Sequence, residues 1–130
     1  TTTRRLRSLG VRRVRGLVEI RLVADAFCWQ MVRGIVGHLL LVGSGPGMAG
    51  AIRLAGEAAL RTGAGRVSIA THPAHCAAIA SGCPELMCHG VSDRKDLAVL
   101  LDRSDTVAIG PGLGTDGWAQ DLLEAVLAEG

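Results

Sequence analysis

Glycine is concentrated where this chain could approach a phosphate. Gly43-Ser44-Gly45-Pro46-Gly47-Met48-Ala49-Gly50 follows the apolar run Leu39-Leu40-Leu41-Val42, and Gly110-Pro111-Gly112-Leu113-Gly114 follows Thr106-Val107-Ala108-Ile109. Glycines after a strand let backbone and phosphate come close, and the start of the next helix offers free N–H groups and a positive dipole end. Residues 45–50 also satisfy the G-x-G-x-x-G spacing of dinucleotide-binding turns. Such turns need an acidic residue about 20 positions on, at the end of the second strand, to hold ribose hydroxyls. Here that strand ends Ser68-Ile69-Ala70-Thr71-His72-Pro73, without a carboxylate. In open parallel sheets ligands collect beyond the carboxyl ends of strands. Two glycine loops together therefore point to a ligand cleft, and a pair of ordinary strand-to-helix turns is the plainer alternative.

Other reactive groups are less organised. His72, His75 and His89 with Cys76, Cys83 and Cys88 lack the paired, repeated spacing of structural zinc, so no metal site is expected. Those cysteines read as small packing residues, and with Cys28 as reduced thiols. Asp116 and Trp118 after the second loop read as a helix N-cap and a packing residue. No nucleophile or general acid/base stands at a motif position, so no catalytic residue is assigned.

Arginine is crowded at the start. Arg4, Arg5, Arg7, Arg12, Arg13, Arg15, Arg21 and Arg33 fall in the first quarter, although the formal net charge is only +2. Such a segment suits a polyanion such as RNA. It lacks interleaved aromatics for base stacking, and a solvated basic face is the alternative.

The elements that must position these residues follow from periodicity. Leu17–Val23 alternates as a half-buried strand, and a helix is expected from Asp25 to about Gly37. "HLLLVG" fits either a continuation of that helix or a buried parallel strand. A helix from Met48 presents Ile52, Ala55, Ala59 and Leu60 on one face and ends near Gly63. Then come a strand "RVSIAT", a short helix opened by Pro73, a strand "ELMCHGV", an amphipathic helix "DRKDLAVLLDRSD", a buried strand "TVAIG" and a final helix "AQDLLEAVLAEG". Strands alternating with helices imply βαβ units and a parallel sheet.

Size and composition agree with one α/β core. The 130 residues are 48% hydrophobic and include 18 glycines but few aromatics. No apolar run approaches the roughly 20 residues of a membrane helix, so no membrane association is expected, and the cytoplasm is the expected compartment. Whether copies of the chain assemble is left open.

Two family resemblances emerge from these motifs. From about residue 38 to 130, "LLLVGSGPGMAGAIRLAGEAALRTGAGRVSIATHPAH", "PELMCHGV" and "AIGPGLGTDGWAQDLLEAVL" resemble the start of the ADP- or ATP-dependent NAD(P)H-hydrate dehydratases. These are ribokinase-like enzymes that repair hydrated nicotinamide cofactors. The resemblance implies a partial ribokinase-like parallel sheet, NADHX or NADPHX as substrate, and ADP or ATP with Mg2+ as cofactor. It places Ala51 and Gly114 against the hydrated nicotinamide nucleotide, with Gly110 and Gly112 shaping the same cleft. It also implies that this stretch stops short of the family's later catalytic segments and is incomplete for catalysis.

Residues 1–43, through "ADAF" and "MVRGIVG", resemble the C-terminal part of a tRNA pseudouridine synthase acting on the anticodon stem-loop. That implies tRNA as an alternative partner, contacted by Arg12, Arg13 and Arg33. The expected organisation is a synthase-like strand and helix over 1–40 and a dehydratase-like α/β unit over 41–130, an apparent chimera. A third alternative is an assembled chimera with a structural role and no enzymatic activity.

Overall fold

The computed structural model describes residues 6–15, 17–24 and 37–129. Two antiparallel strands, β1 (Leu6–Val14) and β2 (Leu17–Ala24), form a hairpin with Arg12 opposite Glu19. β2 matches the alternating pattern. β1 was not expected, because "LRSLGVRRV" spreads its apolar residues over both faces, Leu9 and Val11 on one and Val14 on the other. Its partner β2 supplies the ladder hydrogen bonds instead. The helix expected over Asp25–Gly37 falls almost wholly outside the described residues.

The rest is a four-stranded parallel sheet, in order β5-β4-β3-β6, with helices on both faces. β3 is His38–Val42, β4 Arg66–Thr71, β5 Met87–Gly90 and β6 Thr106–Ile109. The helices are α1 (Ala49–Arg61), α2 (Cys76–Gly82), α3 (Arg94–Leu101) and α4 (Gly117–Glu129). The α/β fold class expected from the sequence is thus observed.

β3 resolves the ambiguity left by its periodicity. A run of apolar residues is unstable as a surface helix but suits a central strand covered on both sides. Leu40 and Val42 join Ala70, Val91, Leu97 and Leu122 on the face of α3 and α4. Leu41 joins Val67, Ile69, Ile52, Ile79 and Leu86 on the face of α1 and α2. Side-chain alternation along each strand thus feeds two separate cores.

α1 packs unusually close to the sheet at Gly56, where a Cβ would sit 3.2 Å from Ile69 Cδ1. It ends as expected near Gly63. That residue takes φ +106, Gly63 N–H donates to Leu60 O and Ala64 N–H to Ala59 O. These are the two hydrogen bonds of a Schellman C-cap.

The short helix opened by Pro73 is observed, its first turn being 3-10 (Pro73–His75) and running into α2. Two expectations need correction. β6, expected to be buried, alternates exposed and half-buried residues because it forms one edge of the sheet. Cys76, Cys83 and Cys88, expected to be small buried packing residues, are free thiols only half-buried, although Cys83 and Cys88 do pack against the core on the α1 face. Among the described residues no helix is long and apolar enough to cross a membrane.

Candidate functional site

β3 and β6 lie side by side, but their outgoing helices diverge: α1 covers one face and α4 the other. Adjacent strands whose helices leave in opposite directions open a crevice above their carboxyl ends. Both glycine loops begin there.

The loops are bonded to each other. Gly110 N–H donates to Val42 O at 3.0 Å, Ser44 N–H to Pro111 O at 2.9 Å and Gly45 N–H to Gly112 O at 2.9 Å. A Cβ on Gly43 would overlap the Pro111 carbonyl oxygen, and one on Gly45 would sit 2.7 Å from Leu113 O. These two glycines therefore serve loop-to-loop packing, whereas the sequence suggested an approach to a phosphate.

Ser44 is the hub that sequence reasoning missed. It is fully buried at φ +58, in a region that costs a non-glycine residue about 1–2 kcal/mol. Its Oγ donates to Met48 O at 2.7 Å and accepts from Ile52 N–H at 3.3 Å. Its carbonyl accepts from Thr71 Oγ1 at 3.1 Å, His75 Nδ1 at 3.2 Å and His72 N–H at 3.4 Å. A carbonyl oxygen only accepts, so His75 carries its proton on Nδ1 in this contact. Nothing in the spacing of "GSG" distinguishes such a hub from a solvated turn serine.

Three of the four expected ligand residues meet around Met48. Gly112, at φ +63, backs onto Ala51: a Cβ there would lie 3.0 Å from Ala51 Cβ and 3.1 Å from Met48 O. Gly114, at φ +84, faces Met48 Cε at 3.3 Å from its ideal Cβ position. Gly110, at φ +140, stands at the root of the second loop with open space where a side chain would be. Ala51, Gly110 and Gly114 are exposed and Gly112 is half-buried.

The start of α1 is open. Its N-cap residue, Met48, gives no side-chain hydrogen bond, and its first turn has no acidic residue. The N–H groups of Ala49 and Gly50 have no hydrogen-bond partner among the described residues. By contrast Asp116 Oδ1 caps α4 through Ala119 N–H at 2.9 Å, as expected, and Asp93 caps α3 through Lys95 and Asp96. Trp118 is the expected packing residue, its Nε1–H bonded to Val91 O at 2.9 Å.

Elsewhere, burial and the neighbouring Cys76 thiol push Cys88 up to about 12, so it stays protonated at neutral pH. In the hairpin, Arg12 is paired with Glu19 at 2.8 Å and Arg13 is exposed; Arg33 lies outside the described residues.

Comparison with known proteins decides the family. The profile of the NAD(P)H-hydrate dehydratases matches residues 39–130. The chain belongs to the NAD(P)H-hydrate dehydratase family. It is 50% identical over 95 residues to the bifunctional NAD(P)H-hydrate repair enzyme Nnr of Coxiella burnetii, covering 73% of this chain and 20% of that protein. It is 40% identical over 84 residues to the ADP-dependent (S)-NAD(P)H-hydrate dehydratase of Staphylococcus aureus, covering 65% of this chain and 30% of that one. A crystal structure of a ribokinase-like superfamily protein from Enterococcus faecalis superposes with a TM-score of 0.69 at 27% identity. That alignment covers 94% of this chain and 38% of the other. The chain thus spans well under half the length of the dehydratase-family relatives and structures it matches. Its fold is ribokinase-like.

Proposed function

We propose that this chain seats the hydrated nicotinamide nucleotide, NADHX or NADPHX, of a NAD(P)H-hydrate dehydratase, on a surface formed by Ala51, Gly110, Gly112 and Gly114. One observation carries the reading. The hydrogen-bonded pairing of the two glycine loops at the β3–β6 crevice brings Ala51, Gly112 and Gly114 together beside the open start of α1. Free N–H groups and a helix dipole favour a phosphate there, and the open space at Gly110 leaves room beside it.

The family relationship supports the same substrate, since the Staphylococcus aureus relative carries it in its name. In that reading ADP or ATP drives removal of water from the nicotinamide ring, and these residues bind and orient the substrate. Among the described residues, those named here are given a binding role only. Among the described residues no group of three or more His, Cys, Asp or Glu side chains is placed to hold a metal ion. In this reading Mg2+ would be carried by the phosphates of ADP or ATP.

The dehydratase-like unit is drawn from Gly37, because a division at residue 40 would cut β3 in two. A soluble cofactor as substrate fits the cytoplasmic location expected from the sequence. The tRNA reading of the first 43 residues is not part of the proposal; in the hairpin the Arg12 guanidinium faces the Glu19 carboxylate at 2.8 Å. Thermal unfolding with millimolar NADPH hydrate tests the proposal. A ligand that binds only the folded chain raises the midpoint with concentration, and an unchanged midpoint counts against it.

A further inference from the structure

His72 stands at the carboxyl end of β4, beside the loop that follows β3. Its backbone N–H donates to Ser44 O at 3.4 Å, which ties it to the hub of the first glycine loop. Its ring is held in three ways. Nδ1 accepts from Ala74 N–H at 3.4 Å, capping the 3-10 turn. The Trp118 ring lies 6.1 Å away, nearly perpendicular, and the His75 ring 5.8 Å away. Trp118 is itself fixed by Val91 and reaches Gly45, whose ideal Cβ position is 3.6 Å from its Cζ3.

With the Nδ1 lone pair occupied, the proton of the neutral ring sits on Nε2. Nε2 has no hydrogen-bond partner among the described residues, and the residue is only partly exposed. A donor whose ring is already oriented loses little entropy on binding, and a hydrogen bond to an anion is about twice as strong as a neutral one. We infer that His72 donates its Nε2–H to a phosphate oxygen of the nucleotide seated on the glycine loops. This rests on the proposed function above and adds a positioning group that lies outside both loops.

Two substitutions separate this role from simple capping. His72→Asn keeps an acceptor near Nδ1 for Ala74 N–H and removes the distal donor. His72→Gln keeps a distal N–H near Nε2 and gives up the cap. Calorimetric titration of the 130-residue chain uses NADPH hydrate and, as a phosphate-free probe, hydrated nicotinamide riboside. The expected result is about tenfold weaker NADPH hydrate binding for His72→Asn, unchanged riboside binding, and near wild-type NADPH hydrate binding for His72→Gln. The inference is overturned if His72→Asn binds like wild type, or if both probes weaken equally. Binding by wild type with no effect of His72→Asn sinks this inference alone, whereas no binding of NADPH hydrate by wild type sinks the proposed function with it.

Discussion

Gly45 donates its backbone N–H to the carbonyl of Gly112 at 2.9 Å, joining two loops that lie far apart in the chain. The contact leaves no room for a side chain at Gly45, whose Cβ would press on Leu113 O. Gly45→Ala is therefore expected to lower stability by about 1–3 kcal/mol. Gly50→Ala, in the first turns of α1 with nothing within 4 Å, is expected to raise it by about 0.5–1 kcal/mol. Urea midpoints of the two variants check the opposite signs.

Ser44 combines a strained backbone with a buried side chain that bonds the start of α1. Removing Oγ leaves Ile52 N–H without its acceptor, at about 1–3 kcal/mol. Ser44→Ala suffers that loss and keeps the strain; Ser44→Gly suffers it and relieves the strain. The glycine variant is expected to be the more stable of the two by about 1 kcal/mol, again by urea denaturation.

The central strand carries the core on both faces. Leu40, fully buried among Val42, Val91, Leu97 and Leu122, is expected to cost about 2–5 kcal/mol on truncation to Ala. Leu54, 69% exposed on α1, is expected to change stability by no more than about 0.5 kcal/mol. Thermal melts of Leu40→Ala and Leu54→Ala compare the two directly.

Burial, then the nearby His38 and Arg103, hold the His89 imidazole below its ordinary 6.5. Its charged form is thus disfavoured in the folded chain, and unfolding takes up a proton. The contribution to stability is complete above pH 6.5 and is lost as pH falls from 6.5 toward the depressed folded value. Unfolding midpoints between pH 7.5 and 5 are expected to fall less steeply for His89→Gln than for wild type.

Much of this architecture was legible in the residues themselves. The apolar face of α1 and the Gly63 stop carry local information, which is why α1 and its C-cap are where periodicity puts them, whereas the Leu39–Val42 run suited helix or strand alike and became β3 through its neighbours β4 and β6. β1 and the edge position of β6 depend on what pairs beside them, which no local pattern records. The site divides the same way. Glycine spacing marked both loops, but it could not show that Gly43 and Gly45 pack against the second loop. Nor could it reveal Ser44 and His72, whose roles come from partners contributed by β4, the 3-10 turn and α4.

The location of the nucleotide seat is the central claim, and backbone amide shifts of the isotopically labelled chain during titration with NADPH hydrate test it most directly. Saturable shifts concentrated at Ala49, Gly50, Ala51, Gly112 and Gly114 are the expected result. Shifts confined to the β1–β2 hairpin, or no saturable shift at any concentration, would contradict it.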